Sequence, residues 1–431
     1  MDPAITTLCV LAVAAFLFVT ELIPLAVTAM AACTALGILG VLPSKQVYAG
    51  LSNSTVVLFG GMFVIGAAMF KTGLAEAIGV AVVKKAGTNE IPLMAAIMIV
   101  TIVLSSVSSN TGTVACLMPV IIGICQAAKI PASKELMPLA IAANVGGTIT
   151  MIGTPPNVIV TGALAAAGLP TFGFFEFAFI GVPLSIIIVL YTLFIGRRFL
   201  PDHSAGEMDE EAVKAAKEEA GASDDNAPKS KTKMWISGLI LIGVVVCMAL
   251  DLKTVPLHTA AVTGAILCVI TGCLKEKEAY AGIDWVTIFL FAGMLSVATA
   301  MEKTGAGKLI ADSVVSMMGT NPNPYVLTAV LFLISNVLTQ FMSNTASAAL
   351  LAPIGISIAQ SIGADPKPVL MALGIAASCA FATPMATPPN TLVLGPGGFS
   401  FNDYAKVGVP MCVISLIVCL VVIPIVWPFG M

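Results

Sequence analysis

Residues 48–62 read YAGLSNSTVVLFGGM, and residues 280–294 read YAGIDWVTIFLFAGM, the same frame displaced by 232 positions. Lys71-Thr72-Gly73 falls on Lys303-Thr304-Gly305 at that same displacement. Further along, Ser109-Asn110-Thr111 pairs with Ser343-Asn344-Thr345, and Thr154-Pro155-Pro156-Asn157 pairs with Thr387-Pro388-Pro389-Asn390, at displacements of 234 and 233. A single tripeptide recurs by chance. Four motifs in one order at nearly constant spacing indicate a duplication, and the duplication decides the architecture.

Composition says where the duplicated unit lives. Of 431 residues, 58% are hydrophobic and 10% charged, with a mean hydropathy of +1.02, against about a quarter charged in a soluble domain. Uncharged stretches long enough to cross a bilayer, roughly 20 residues, recur at 4–20, 23–43, 55–70, 137–168, 178–196, 234–250, 257–274, 286–301, 369–394 and 408–427, which makes ten expected spans. Two more, 91–128 and 325–361, are interrupted by Ser108 to Gly112 and by Ser343-Asn344-Thr345, and read as re-entrant hairpins. The start, Met1-Asp2-Pro3, lacks the basic residues of a secretory leader and reads as a retained helix. The ten cysteines have no disulfide or metal spacing and read as packing residues. No nucleic-acid partner is expected of such a chain.

The fold class that follows is an all-α polytopic membrane protein of two inverted repeats, each with about five transmembrane helices, one re-entrant hairpin and one broken helix. Five spans per half place the start and end of a half on opposite faces, so its copy inserts upside down. The first repeat is 1–200 (scaffold 1–90, transport part 91–200), and the second is 234–431 (scaffold 234–320, transport part 321–431). Between them, 201–233 reads as a charged, solvated linker, partly helical at best, carrying Glu207, Asp209, Asp224, Asp225 and Lys229. Fifteen of the 20 Lys and Arg fall on the linker's side, and five (Lys45, Lys253, Lys303, Lys308 and Lys367) on the other. That bias puts the linker in the cytoplasm and both termini outside. Segments 74–87 and 306–318 have helical apolar spacing and read as amphipathic helices at the surface or as short cytoplasmic or external loop helices.

Irregular backbone at membrane depth is tolerated where it lines protein or a watery cavity. Proline lacks an amide hydrogen and disfavours helix before it, so each Thr-Pro-Pro-Asn motif breaks a span and frees carbonyls and amides. Carbonyls with Ser, Thr and Asn oxygens suit a hard cation, and half-helix N-termini suit an anion. An isolated Ser-Asn-Thr is ordinarily interhelical glue. Two such motifs, with two breaks at matching repeat positions, point instead to one central site. No Asp, Glu, Lys, Arg or His lies near the middle of the hairpins or broken helices, which disfavours proton coupling through a side chain. A dianion there meets no fixed positive charge and needs accompanying cations.

The paired Ser-Asn-Thr motifs, each followed by Gly-Thr-Pro-Pro-Asn or Ala-Thr-Pro-Pro-Asn, resemble the divalent anion/sodium symporter family over essentially the whole chain. The resemblance implies one Na+ among Ser105, Ser109, Asn110 and the Gly153 carbonyl, and a second among Thr339, Ser343, Asn344 and the Ala386 carbonyl. It implies a small dianionic substrate of the C4-dicarboxylate class at Asn110, Thr111, Asn344 and Thr345, with Thr154, Thr387 and Pro388 below. It also implies an elevator-type mechanism and a homodimer in a bilayer, while the short loops and the expected lack of a targeting segment favour a prokaryotic inner membrane. Some members carry a further first helix, which this chain is expected to lack, leaving an expected core count of ten. A dicarboxylate exchanger, or a carrier of citrate, sulfate or another oxyanion, uses the same scaffold. A channel suits the duplicated breaks less well than alternating access. An intramembrane hydrolase finds little support, because His203 and His258 are in no His-Glu-x-x-His arrangement and no Gly-x-Ser-x-Gly occurs.

Overall fold

The structure is a computed structural model that describes residues 2–87, 89–202, 210–219, 230–250, 254–318 and 323–429. Glu207, Asp209, Asp224, Asp225 and Lys229 of the linker lie outside the described residues, as do His203 and Lys253. Every regular element among the described residues is a helix. The first half runs α1 (Pro3–Thr20), α2 (Leu25–Ile38), α3 (Ser44–Val47), α4 (Ser54–Lys71), α5 (Leu74–Ala86), α6 (Glu90–Ser105), α7 (Asn110–Ala128), α8 (Ser133–Gly146), α9 (Pro155–Ala166) and α10 (Ala178–Phe194). After the linker helix α11 (Glu210–Glu219) come α12 (Lys231–Ala249), α13 (Leu257–Ile270), α14 (Glu276–Ala281), α15 (Trp285–Thr304), α16 (Ala306–Met318), α17 (Pro324–Leu338), α18 (Asn344–Ser361), α19 (Pro366–Ser378), α20 (Pro388–Gly397) and α21 (Phe401–Val426). Among the described residues the ten α-helices of the second series repeat those of the first in order, while the 3-10 turns Ala49–Ser52 and Gly196–Arg198 have no counterpart.

Seven described helices are long and apolar enough to cross a membrane: α1, α4, α7, α10 with the turn after it, α12, α15 and α21. The two expected spans at 137–168 and 369–394 are not among them because each is split, α8 from α9 and α19 from α20. The interruptions expected at 108–112 and 343–345 separate α6 from α7 and α17 from α18. The expected amphipathic segments are α5 and α16. Within the linker, helix α11 lies against α7 and buries Val213, the largest of the four apolar residues in this short charged helix.

The repeated motifs hold the halves together reciprocally. In α4 a Cβ on Gly61 would stand 2.8 Å from the Ala261 carbonyl carbon of α13, and in α15 one on Gly293 would stand 2.7 Å from that of Ala29 in α2. Only glycine lets these helix pairs approach so closely, and in a bilayer close packing replaces the hydrophobic effect as the attraction between helices. Lys-Thr-Gly ends α4 and α15 alike, with Gly73 and Gly305 at positive φ. The two lysines are anchored in the other half: Lys71 Nζ lies 3.1 Å from Glu278 Oε1, and Lys303 Nζ donates to Gln46 Oε1 at 2.6 Å. Beyond these pairs, α9 packs on α18 and α19 while α20 packs on α7 and α8. Each Thr-Pro-Pro-Asn segment is therefore pressed against the other half's hairpin.

Candidate functional site

Four helices begin at one place. Ser109, Thr154, Ser343 and Thr387 are the N-cap residues of α7, α9, α18 and α20, and all four line a single cavity of about 560 Å³. Proline at the first helical position explains why α9 and α20 start there: its fixed φ suits that turn and its missing N–H is not needed. Each N-terminus carries a partial positive charge; α7 and α18 also present amide hydrogens there, whereas the prolines of α9 and α20 have none at the first two positions and the Asn157 and Asn390 N–H groups bond back to Thr154 O and Thr387 O. Among the described residues no cationic side chain lines the cavity, so any field there that favours negative charge comes from these helix ends. The charged residues in the lining are acids: Glu21, which is exposed, and Asp284, whose carboxylate accepts from the Thr287 N–H at 3.0 Å to cap α15.

Behind the first hairpin tip lies a cluster of oxygens. One end of the Asn110 amide is 2.5 Å from Ser105 Oγ, 3.1 Å from the Gly153 carbonyl and 3.2 Å from the Ala143 carbonyl. Ser105 Oγ itself donates to Ala143 O at 2.8 Å. With its nitrogen turned inward the amide donates to this cluster. With its oxygen inward it makes, with Ser105, Ala143 and Gly153, a shell of oxygen donors of the kind a hard cation takes. The second half repeats part of the arrangement: the Thr339 hydroxyl lies within hydrogen-bonding distance of Asn344 Oδ1 and, at 2.8 Å, of Ala377 O. Thr339, Asn344 and Ala377 are each displaced by 234 from Ser105, Asn110 and Ala143.

Every residue expected at the site is in or immediately behind this cavity. Ser109, Asn110, Thr111, Gly153, Thr154, Ser343, Asn344, Thr345, Ala386, Thr387 and Pro388 line it. Ser105 and Thr339 are fully buried beneath it, bonded to the two asparagines. Ser109 has a structural task as well, because its Oγ accepts from the Gly112 N–H at 3.2 Å. The fourth residue of each Thr-Pro-Pro-Asn motif is structural. Asn157 Nδ2 donates to Gly147 O (3.1 Å) and Thr150 O (2.8 Å), and Asn390 Nδ2 donates to Ala380 O (3.0 Å) and Thr383 O (2.9 Å). Each thus satisfies carbonyls that its broken helix leaves over.

Sequence reasoning missed three residues. The Ala143 and Ala377 carbonyls gave no signal, since any residue type offers one. Asn144, 1% exposed and in the cavity wall, stands outside both repeated motifs. A buried asparagine after the apolar run Leu136 to Ala143 was the sign available.

A family model described as citrate transporter (CitMHS) matches residues 15–366 and 348–429. The uncharacterized transporter YfbS of Escherichia coli K12 is 25% identical, with 99% of each chain covered. An uncharacterized transporter of Haemophilus influenzae is 30% identical over 95% of this chain and 89% of its own. A protein named sodium-dependent dicarboxylate transporter SdcS, from Staphylococcus saprophyticus, is 26% identical over 94% of this chain and 83% of its own. Among solved structures, the YdaH transporter of Alcanivorax borkumensis superposes with a TM-score of 0.65 at 15% identity, covering 97% of this chain and 100% of that one. At that identity the likeness speaks for the fold alone. The relatives are transporters rather than enzymes, and the hydrolase reading ends there.

Proposed function

The chain belongs to the CitMHS citrate transporter family, and from that premise we propose that this integral membrane transporter carries a C4-dicarboxylate together with two or more sodium ions. One observation carries the reading: twin clusters of oxygens, 234 positions apart in sequence, flank a cavity onto which four helix N-termini open. The N-termini favour carboxylates, each by about 0.3–1 kcal/mol at exposed sites and up to ~2 when partly buried. They cannot by themselves offset the transfer of two negative charges out of water. The oxygen clusters can hold the missing positive charge as cotransported cations. The relative named as sodium-dependent and dicarboxylate-transporting supports both halves of the proposal.

In this reading Ser105, Ser109, Asn110 and the Gly153 carbonyl hold one sodium, and Thr339, Ser343, Asn344 and the Ala386 carbonyl hold another. Asn110, Thr111, Asn344 and Thr345 meet the carboxylates over Thr154, Thr387 and Pro388. The two halves insert in opposite orientations with the linker cytoplasmic, in a bacterial inner membrane. The hairpins and broken helices (91–200 and 321–431) move as one body against a scaffold (1–90 and 234–320) that dimerises, an elevator-type cycle. Pairing of α2 with α15 and of α4 with α13, and of α9 and α20 with the opposite hairpins, supports that division, because each body is knit from both halves.

Sodium-driven uptake of labelled succinate into proteoliposomes tests the assignment. Asn110→Ala and Asn344→Ala should each abolish it, and uptake at the wild-type level in both would remove these residues from the site. The family's description favours a second substrate, citrate. Competition separates the two: unlabelled citrate displacing succinate at lower concentration than succinate itself would make the tricarboxylate the substrate.

A further inference from the structure

Asn144 joins the two halves of the site. Its Nδ2 donates to Thr387 Oγ1 at 3.1 Å and to Asn390 Oδ1 at 3.0 Å, both at the start of α20. The residue before it, Ala143, contributes its carbonyl to the first oxygen cluster, where it accepts from Ser105. The residue before Thr387 is Ala386, whose carbonyl belongs to the second proposed cation set. Two neighbouring residues on either side, 143–144 and 386–387, therefore connect one cluster to the other through a single buried amide.

The connection runs one way. The position 234 residues beyond Asn144 holds Ser378, whose Oγ donates to Gly374 O at 2.9 Å inside its own helix. Asn157, the counterpart of Asn390, is left with an Oδ1 that no donor meets among the described residues. Asn144 Oδ1 is likewise unmatched, so its donors alone make the link. The duplication therefore does not account for this residue, and a buried amide is retained against its desolvation cost.

We propose that Asn144 is a positioning residue that couples the two cation clusters. A cation in the first cluster, where the Ala143 carbonyl stands beside the proposed Ser105, Ser109, Asn110 and Gly153 ligands, fixes the last turn of α8. The Asn144 amide then holds Thr387 and the start of α20 in the arrangement that binds the second cation and the dianion. The inference rests on the sodium-coupled reading above. Coupling of this kind is reciprocal, so the second cation favours the first by the same factor, typically about 5- to 150-fold.

The test measures succinate uptake against sodium concentration for wild type, Asn144→Ala, Asn144→Ser and the double variant Asn144→Ser/Ser378→Asn. Both single variants should need about tenfold more sodium for half-maximal uptake and should flatten the curve to a Hill coefficient of about one. Their maximal rate at saturating sodium should change far less. The double variant offers donors to the unmatched Asn157 Oδ1, building the link from the other half, and should recover steepness. Asn144→Ser, which keeps a small polar side chain, carries the test where Asn144→Ala does not fold. Wild-type steepness and half-saturation in Asn144→Ser would overturn the inference, as would a fall in maximal rate with the curve's shape unchanged. A wild type that takes up succinate equally without sodium would instead remove the sodium-coupled reading beneath it.

Discussion

Gly153→Ala adds one methyl group at the tightest point of the first oxygen cluster. The new Cβ would stand 2.5 Å from the Gly147 carbonyl oxygen, 2.9 Å from its Cα and 3.0 Å from its carbonyl carbon. Ordinary contact begins at 3.4 Å, so backbone must yield by about 0.9 Å, and no side chain can rotate away instead. That exceeds the ~0.5 Å within which a binding constellation must be held. Overpacking of this kind costs about 1–3 kcal/mol. Borne entirely by the bound state, at about 1.4 kcal/mol per factor of ten, it weakens apparent sodium affinity about 5- to 150-fold. The second half carries Ala380 and Ala386 at the matching positions, so the fold itself accepts the methyl group. Sodium titration of succinate uptake at saturating succinate measures the effect, with Ala386→Gly as the control that should move little. Wild-type half-saturation in Gly153→Ala, or a larger loss in Ala386→Gly, would refute the reasoning.

Other perturbations have equally definite outcomes. A cysteine at Phe341, which is 65% exposed and lines the cavity, should react with an impermeant thiol reagent from the cytoplasmic side and be protected by sodium plus succinate. The cavity also reaches Glu21 and Asp284, at the ends of α1 and α15 that a cytoplasmic linker puts inside, so reaction only from outside would contradict that placement. Val213→Asp should undock α11 from α7 at a cost of about 1.5–3 kcal/mol, read as faster protease cleavage of the linker with transport retained; unchanged cleavage would contradict the docking. Lys71→Met should shift unfolding at neutral pH by no more than about 1 kcal/mol. Burial raises the Glu278 carboxyl, but bonds from the Lys275 backbone N–H and from Lys71 outweigh it and hold it below its ordinary value of 4.5. The pair's contribution is therefore complete above that value and lost as pH falls through the lowered one. A difference between Lys71→Met and wild type that grew in acid would contradict the pairing.

The duplication made most of the fold legible. Offsets of 232 to 234 predicted matching elements, and the ten helices after the linker repeat the ten before it. The breaks were legible because proline leaves a chemical mark. The site was legible in its side chains and not in its backbone: Asn110 and Asn344 announced themselves by recurring, while the carbonyls of Ala143 and Ala377 could not. Asn144 was missed because it breaks the symmetry that exposed everything else. The Asn of each Thr-Pro-Pro-Asn motif recurred for another reason, to satisfy the broken helix that precedes it.

The most direct test of the central claim is the thermal stability of the purified protein against a panel of succinate, malate, fumarate, citrate and sulfate, each with sodium and with potassium. A ligand that binds only the folded state raises its apparent stability by about 2.7 kcal/mol at a hundred times its Kd. A C4-dicarboxylate that stabilises the protein in sodium and fails to do so in potassium is the predicted result. Equal stabilisation in both salts would contradict an anion whose charge is balanced by sodium in the twin oxygen clusters.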